Sequence, residues 1–367
     1  MNIKKAQLLS FLCILTFLLF VCSTKKNNGT NDNLLNLNID GVHTFLVFDG
    51  QSILYQTLSD NKAVYSRYYI KDEKTLKIGE ILNPILIGKS KTLSDNTLYF
   101  YATEYANTQK EQTVNNLYEI ALGENSLKKI DSNTMSECLI PVDSYNGYLF
   151  SLKVEVDRDS GIGSSILESM ELKSGETTVI LKNTADYVDK QGDAMVNFAL
   201  ANETIYVYSQ TANETLISSV KVYDMVGNEK STLSLATLPK NDLLETSMEI
   251  KVFDDIIYLS SISNNVFIGK ITDTGFQQLL QGSDIEYAHD YGGQAKVYYK
   301  RLTSNIFIYN EQTSRLEEYS INLENDEMIR CMFSNRNDIM LVTLSDNNQE
   351  KIYITDIDTL LTNASPR

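Results

Sequence analysis

From about residue 40 to the C-terminus one unit recurs, and this recurrence constrains the fold more than any other feature of the chain. A short apolar strand runs into a turn of Asn, Asp or Gly, a second strand rich in Ile, Leu or Tyr follows, and a third and a shorter fourth complete the unit. The clearest copy runs from Met248 to Leu280, as MEIKVF, DD, IIYLSSI, NVFIGKI and GFQQLL. Aligned on their second strands, seven copies place Leu54, Tyr99, Leu149, Tyr206, Tyr258, Tyr298 and Leu341 in equivalent positions. The turns before them hold Asp49-Gly50, Asp95-Asn96, Asn146-Gly147, Asn202, Asp254-Asp255, Gly292-Gly293 and Asn337-Asp338, residue types that tolerate the positive φ of tight hairpins.

Four strands per unit at a spacing of roughly 40–50 residues predict an all-β fold, a single propeller of seven four-stranded blades over residues 34–361. Composition agrees with strands: 22 Tyr, 13 Phe and many Ile, Val and Thr suit a pleated, half-buried surface. A helical solenoid is excluded because no 3.6-residue period is present. Two successive β-sandwiches remain the alternative, although a Greek key gives no reason for one motif to recur in order. The last unit, Glu327-MIRCMFS, DIMLVTLS and KIYITDI, has no fourth strand, whereas the first is preceded by a spare alternating segment, Leu34 to Asp40. That segment is expected to complete the last blade as its outer strand and so close the ring. Residues 362–367 read as a tail.

The first 22 residues have the layout of an export signal. Lys4 and Lys5 precede an apolar run from Ala6 to Val21, and polar residues take over from Ser23. Cys22 closes that run, which is shorter than the ~20 residues a spanning helix prefers. Leu19-Phe20-Val21-Cys22 resembles the lipobox of bacterial lipoproteins, with Leu19 in place and Val21 where that pattern has Gly, Ala or Ser. The resemblance implies lipidation of Cys22, with an uncleaved N-terminal anchor as the alternative. Residues 23–33 read as a flexible tether. The whole chain resembles the tyrosine-rich β-propeller lipoproteins of Gram-positive bacteria, by strand rhythm and leader. An extracytoplasmic, membrane-anchored location is what this implies. The chain has no Trp, so the motifs of WD-repeat and quinoprotein propellers are absent.

Chemistry is sparsely signposted. The formal net charge of −16 repels nucleic acid and anionic lipid, so nucleic-acid binding is not expected. The two histidines, His43 and His289, fall in or near the innermost strands of units one and six and do not form a metal ligand set. Asp157-Arg158-Asp159-Ser160-Gly161 begins like a calcium loop, making Asp157 and Asp159 weak calcium candidates, but no closing Glu follows and a solvated hairpin tip is the plainer reading. Cys138 and Cys331 lack CxxC spacing and read as buried thiols rather than a bridge. Carboxylates such as Asp254-Asp255 and Glu324, Asp326 and Glu327 are too common here to mark a catalytic pair. Tyr65, Tyr68 and Tyr69, with Tyr298 and Tyr299, either fill space between blades or stack on a sugar or protein partner.

No nucleophile elbow and no phosphate-cradling loop occur, catalytic residues are not identified, and no cofactor is expected. The leading expectation is a binding or scaffold module for a surface protein or small ligand. The alternatives are a carboxylate-dependent enzyme acting on polysaccharide or peptide, and a ligand-sensing accessory to a transporter or receptor. The oligomeric state is open.

Overall fold

A computed structural model describes residues 34–35, 43–59, 61–105, 113–133, 141–157, 162–186, 189, 191–211, 218–235, 249–261, 264–273, 275–290, 297–323, 327–335, 338–345, 349–362 and 364–366. Among them the strands form six hydrogen-bonded sheets. Sheet I is a meander of His43–Phe48, Ser52–Ser59, Lys62–Tyr69 and Lys74–Leu82. Sheet II follows with Pro84–Ser94, Thr97–Tyr105, Thr113–Ala121 and Ser126–Asn133. Sheet III has eight strands in two meanders, IIIa (Val142–Tyr145, Tyr148–Asp157, Ile162–Glu171, Thr177–Asp186) and IIIb (Gln191–Ala201, Thr204–Thr211, Ser218–Asp224, Glu229–Ser234). Sheet IV comprises Glu249–Phe253, Ile256–Ser260, Asn265–Thr272 and Gly275–Ser283. Sheet V comprises Ile285–Tyr287, Val297–Lys300, Asn305–Asn310 and Arg315–Ile321, with Ala364–Pro366 on its outer edge. Sheet VI comprises Met328–Asn335, Asp338–Leu344 and Glu350–Asp356, flanked by Leu34–Leu35 outside and His289–Asp290 inside.

The chain thus folds as an all-β propeller: consecutive antiparallel meanders packed face to face in chain order. The seven aligned residues, Leu54 to Leu341, each lie on the second strand of a meander. Positive φ sits where five of the seven turns predict it, at Gly50 (82°), Asn96 (60°), Asn146 (48°), Asn202 (49°) and Asp254 (55°), while Gly292-Gly293 and Asn337 lie outside the described residues. These short turns join first to second strands in sheets I to IV and, with the third-to-fourth turns, mark one end of the molecule, the tight-turn face; in sheet V the chain instead passes through His289–Asp290 of sheet VI between Tyr287 and Val297. The opposite strand ends, where second strands turn into third strands and fourth strands leave each sheet, mark the other end, the connection face.

Burial explains the stacking. Seven apolar clusters among the described residues each bridge two neighbouring meanders. Leu54, Tyr65, Phe100 and Ile120 join I to II, and Tyr101, Leu117, Val142 and Leu149 join II to IIIa. Phe150, Leu167, Phe198 and Val207 join IIIa to IIIb, and Tyr208, Val220, Ile257 and Phe267 join IIIb to IV. Tyr258, Ile268, Tyr298 and Phe307 join IV to V, and Tyr299, Ile306, Met332 and Leu341 join V to VI. The seventh, Phe45, Ile53, Tyr55, Phe333 and Val342, joins VI to I. A fully buried aromatic or branched side chain contributes roughly 1.5–3 kcal/mol by leaving water, so these faces carry most of the favourable energy.

Two features differ from the strand rhythm, and a third is met over the residues described. Units three and four are not separate sheets, because Ala185 pairs with Gly192 and Asp186 with Gln191 across a very short connection. Gly192 enables this approach: its φ is +81°, and a Cβ there would stand 2.3 Å from the Thr184 carbonyl oxygen. The expected tail carries structure. Helix α1 (Ile357–Thr362) begins at Asp356, whose carboxylate accepts from Thr359 N at 2.7 Å, and buries Leu360 between sheets V and VI. Ala364–Pro366 then pairs with Arg315–Ile321. Of the segment expected to extend sheet VI, Leu34 pairs with Tyr353 and Leu35 with Ile352, while residues 36–40 lie outside the described residues.

Candidate functional site

At the tight-turn face, sheets I and II part to leave a groove of about 220 Å³ lined by Asp49, Arg67, Tyr69, Asn96, Leu122, Gly123 and Asn125. Three turns build it. In Asp49-Gly50-Gln51 the Asp49 carboxylate accepts from Gln51 N (2.9 Å) and Ser52 N (2.6 Å), an Asx turn that Gly50 closes. Asp95 and Asn96 both take positive φ, as a two-residue hairpin requires. The turn from Leu122 to Asn125 packs on Asn96, with Leu122 N donating to Asn96 O at 2.9 Å.

Arg67 organises the groove from the third strand of sheet I. Its side chain is 12% exposed, and Nη2 lies 2.6 Å from Asp49 Oδ2. Nε donates to Ser52 Oγ at 2.6 Å, and Nη1 donates to Leu122 O and, at 3.2 Å, to Asn125 Oδ1. Tyr69 Oη donates to the same Asn125 oxygen at 2.9 Å, and the guanidinium lies 5.1 Å from the Tyr69 ring centroid. Burial alone would raise the Asp49 carboxyl, but hydrogen bonds from Gln51 and Ser52 and the charge of Arg67 outweigh it and hold it below its ordinary value. The two charged side chains of the lining, Asp49 and Arg67, therefore pair with one another, and the groove is fixed by charge-assisted bonds.

The innermost strands make a second polar concentration. Thr92 Oγ1 reaches Asp143 Oδ1 (3.2 Å) and Ser144 Oγ (2.7 Å), and Leu200 N donates to Asp143 Oδ2 at 3.2 Å, tying II, IIIa and IIIb together. Tyr287 Oη donates to Glu249 Oε1 at 2.8 Å, tying V to IV. His289 stacks on Phe333 with centroids 5.1 Å apart and meets Tyr287 edge-on. Burial, with the like charges of Lys91 and Lys251, pushes its imidazole down to about 3, so it is neutral at pH 7. In sheet VI, Glu327 is buried against Lys351 and accepts from Thr343 Oγ1 and Tyr353 Oη, each at 2.9 Å. At the connection face, Leu58, Leu82, Ile85, Leu86 and Tyr105 of sheets I and II are exposed apolar residues.

The residues singled out in the sequence separate on this map. Cys22, Cys138 and Asp159 lie outside the described residues, as does the side chain of Asp157, whose backbone ends a strand of IIIa. His43 begins the innermost strand of sheet I and His289 lies on the innermost strand of sheet VI, so the histidines are on different strands. Tyr65, Tyr298 and Tyr299 are wholly buried and Tyr68 nearly so, which makes them packing residues. Tyr69 alone of that group lines the groove. Cys331 is a free thiol that burial pushes up to about 12, far from a reactive thiolate. Asp255 is paired with Lys270 at 3.1 Å. No group of three or more His, Cys, Asp or Glu suited to a metal occurs among the described residues, and no helix there is long and apolar enough to cross a membrane. Arg67 and Asn125 were missed, because they are 58 positions apart and only the packing of sheet II on sheet I joins them.

No family model and no curated protein matches the chain. Among solved structures it is similar to a prolyl endopeptidase examined for inter-domain dynamics in catalysis and specificity (13% identity, TM-score 0.52, 89% of this chain). The chain spans about half, 49%, of that protein's length. It is also similar to the propeller domain of the trilobed protease from Pyrococcus furiosus, which has an open velcro topology (10% identity, TM-score 0.43, 77% of this chain and 83% of that one). A structure of the nidogen/laminin complex matches at 8% identity and TM-score 0.41, covering 64% of this chain and 76% of that one. At these identities the likeness concerns fold alone.

Proposed function

We propose that this protein is a membrane-tethered, extracytoplasmic propeller of seven blades that acts as a binding module. Counting IIIa and IIIb as two blades gives seven. The seven inter-meander clusters support that count, and the one between sheets VI and I supports a closed ring. Pairing of Leu34–Leu35 with Glu350–Asp356 supports closure through the N-terminal strand. The leader ending at Cys22 supports lipid tethering, with an uncleaved anchor as the other form of attachment.

The observation that carries the binding role is the groove around Arg67. Four of its lining side chains, Asp49, Arg67, Tyr69 and Asn125, are locked to one another before any ligand arrives, and such preorganisation lowers the ordering cost of binding. The exposed apolar residues at the connection face suit a protein partner as a second contact. A photo-crosslinking residue at Asn96 of the full chain, expressed on intact cells, tests the role directly. A discrete adduct, absent when the crosslinker replaces the exposed Val226, is expected. Identical labelling from both positions would overturn the binding role of the groove. Palmitate incorporation that disappears in Cys22→Ser is expected for the tether, and its persistence would overturn lipidation at Cys22.

A further inference from the structure

We infer that the groove between sheets I and II takes a neutral saccharide unit; this rests on reading the groove as a binding site. The first argument is charge. Arg67 and Asp49 neutralise one another at 2.6 Å, and the two Asp49 oxygens accept four donors: Gln51 N, Ser52 N, Ser52 Oγ and Arg67 Nη2. A charged ligand therefore meets no uncompensated charge in the lining, whereas a neutral polyhydroxylated one meets directional donors and acceptors.

The second argument is the donor set. Tyr69 Oη and Arg67 Nη1 both donate to Asn125 Oδ1, which fixes that amide and leaves its Nδ2 as the presented donor. Asn96 stands on the opposing turn as a second planar amide, and the half-buried Tyr69 supplies an aromatic wall for the C–H face of a sugar ring. A volume of about 220 Å³ is below the range for drug-sized ligands and suits one ring of a longer chain. The rim opens at Gly123, where an added Cβ would meet nothing within 4 Å.

The third argument separates sugar from peptide. Extended peptides gain affinity by adding a strand to a free sheet edge. Turn backbone around the groove is already committed, with Leu122 N on Asn96 O (2.9 Å) and Ile70 N on Gln51 O (3.0 Å). Recognition here falls to side chains, as saccharide hydroxyls require.

The test is calorimetric titration of the full chain in detergent with neutral trisaccharides (cello-, malto-, manno- and chitotriose) and with capped trialanine. Saturable heat with at least one saccharide and none with trialanine is expected. Tyr69→Ala should weaken that binding at least tenfold. Gly123→Gln should block it with an unchanged melting temperature, because the site is open and its backbone is not in the left-handed region. Heat with trialanine alone, no heat with any trisaccharide, or saccharide heat untouched by both variants would overturn the inference. A groove-specific adduct at Asn96 together with silent saccharides would overturn the ligand class and leave the binding role standing.

Discussion

At the scale of single residues, the tyrosines divide by what their hydroxyls touch. Tyr118 Oη donates to Glu104 at 2.6 Å and Tyr258 Oη to Ile285 O at 3.0 Å, whereas Tyr298 Oη is buried without a hydrogen-bond partner among the described residues. A buried unsatisfied hydroxyl costs about 1–3 kcal/mol, so Tyr298→Phe is expected to leave stability unchanged or raise it by about 1 kcal/mol in urea unfolding. A clear loss would mean that the hydroxyl has a partner. His289 gives a prediction in pH. Its folded pKa, about 3, lies below the unfolded value near 6.5, so the unfolded chain binds the extra proton between those limits. The stability that His289 contributes is complete above pH 6.5 and falls as pH drops towards 3, by up to about 1.4 kcal/mol per pH unit. His289→Gln should flatten that part of the stability–pH profile, measured by denaturant unfolding at stepped pH. An unchanged slope would show that the imidazole is already protonated in the folded state.

At the scale of elements, strand order and turn positions were legible because both depend on local chemistry. Alternating apolar residues mark a strand, and Asn, Asp and Gly mark the hairpins that need positive φ, as at Asp95-Asn96 and Asn146-Gly147. What was not legible depends on contacts between distant segments. The fusion of IIIa with IIIb turns on Gly192, an unremarkable glycine until Thr184 O is placed beside it. The groove turns on Arg67 reaching Leu122 and Asn125 of the next sheet, which no spacing in sequence announces. The C-terminal strand Ala364–Pro366 carries no sequence signal, because three residues are too few to show alternation. Gly192→Ala combines a strained φ with a backbone clash, so a cost of roughly 2 kcal/mol or more in thermal unfolding is expected. A variant as stable as the parent would show that the junction relaxes freely. Deleting residues 31–40 removes the strand that pairs with Glu350–Asp356 and should lower the melting temperature markedly; an unchanged value would mean that this strand adds nothing to sheet VI.

At the scale of the molecule, the apolar clusters join each meander to the next, and one cluster holds residues of both sheet VI and sheet I, the contact on which the proposed closed ring rests. A closed ring would hold the tight turns of sheets I and II in fixed positions, which fits a module that presents a preformed surface rather than one that rearranges on binding. The groove would then owe its fixed geometry to sheets I and II being held from both sides, by IIIa and by VI. An open arrangement would instead leave sheet I free on its VI-facing side, and the groove would loosen with it. Native-state hydrogen exchange separates the two most directly. The closed ring predicts that the amides of Phe45, Ile53, Met340 and Val342, at the junction of VI and I, exchange only with global unfolding, as slowly as Val207 and Ile257 in the middle of the chain. Exchange at the VI–I junction by a separate opening several kcal/mol below the global value, with Val207 and Ile257 still protected, would contradict closure.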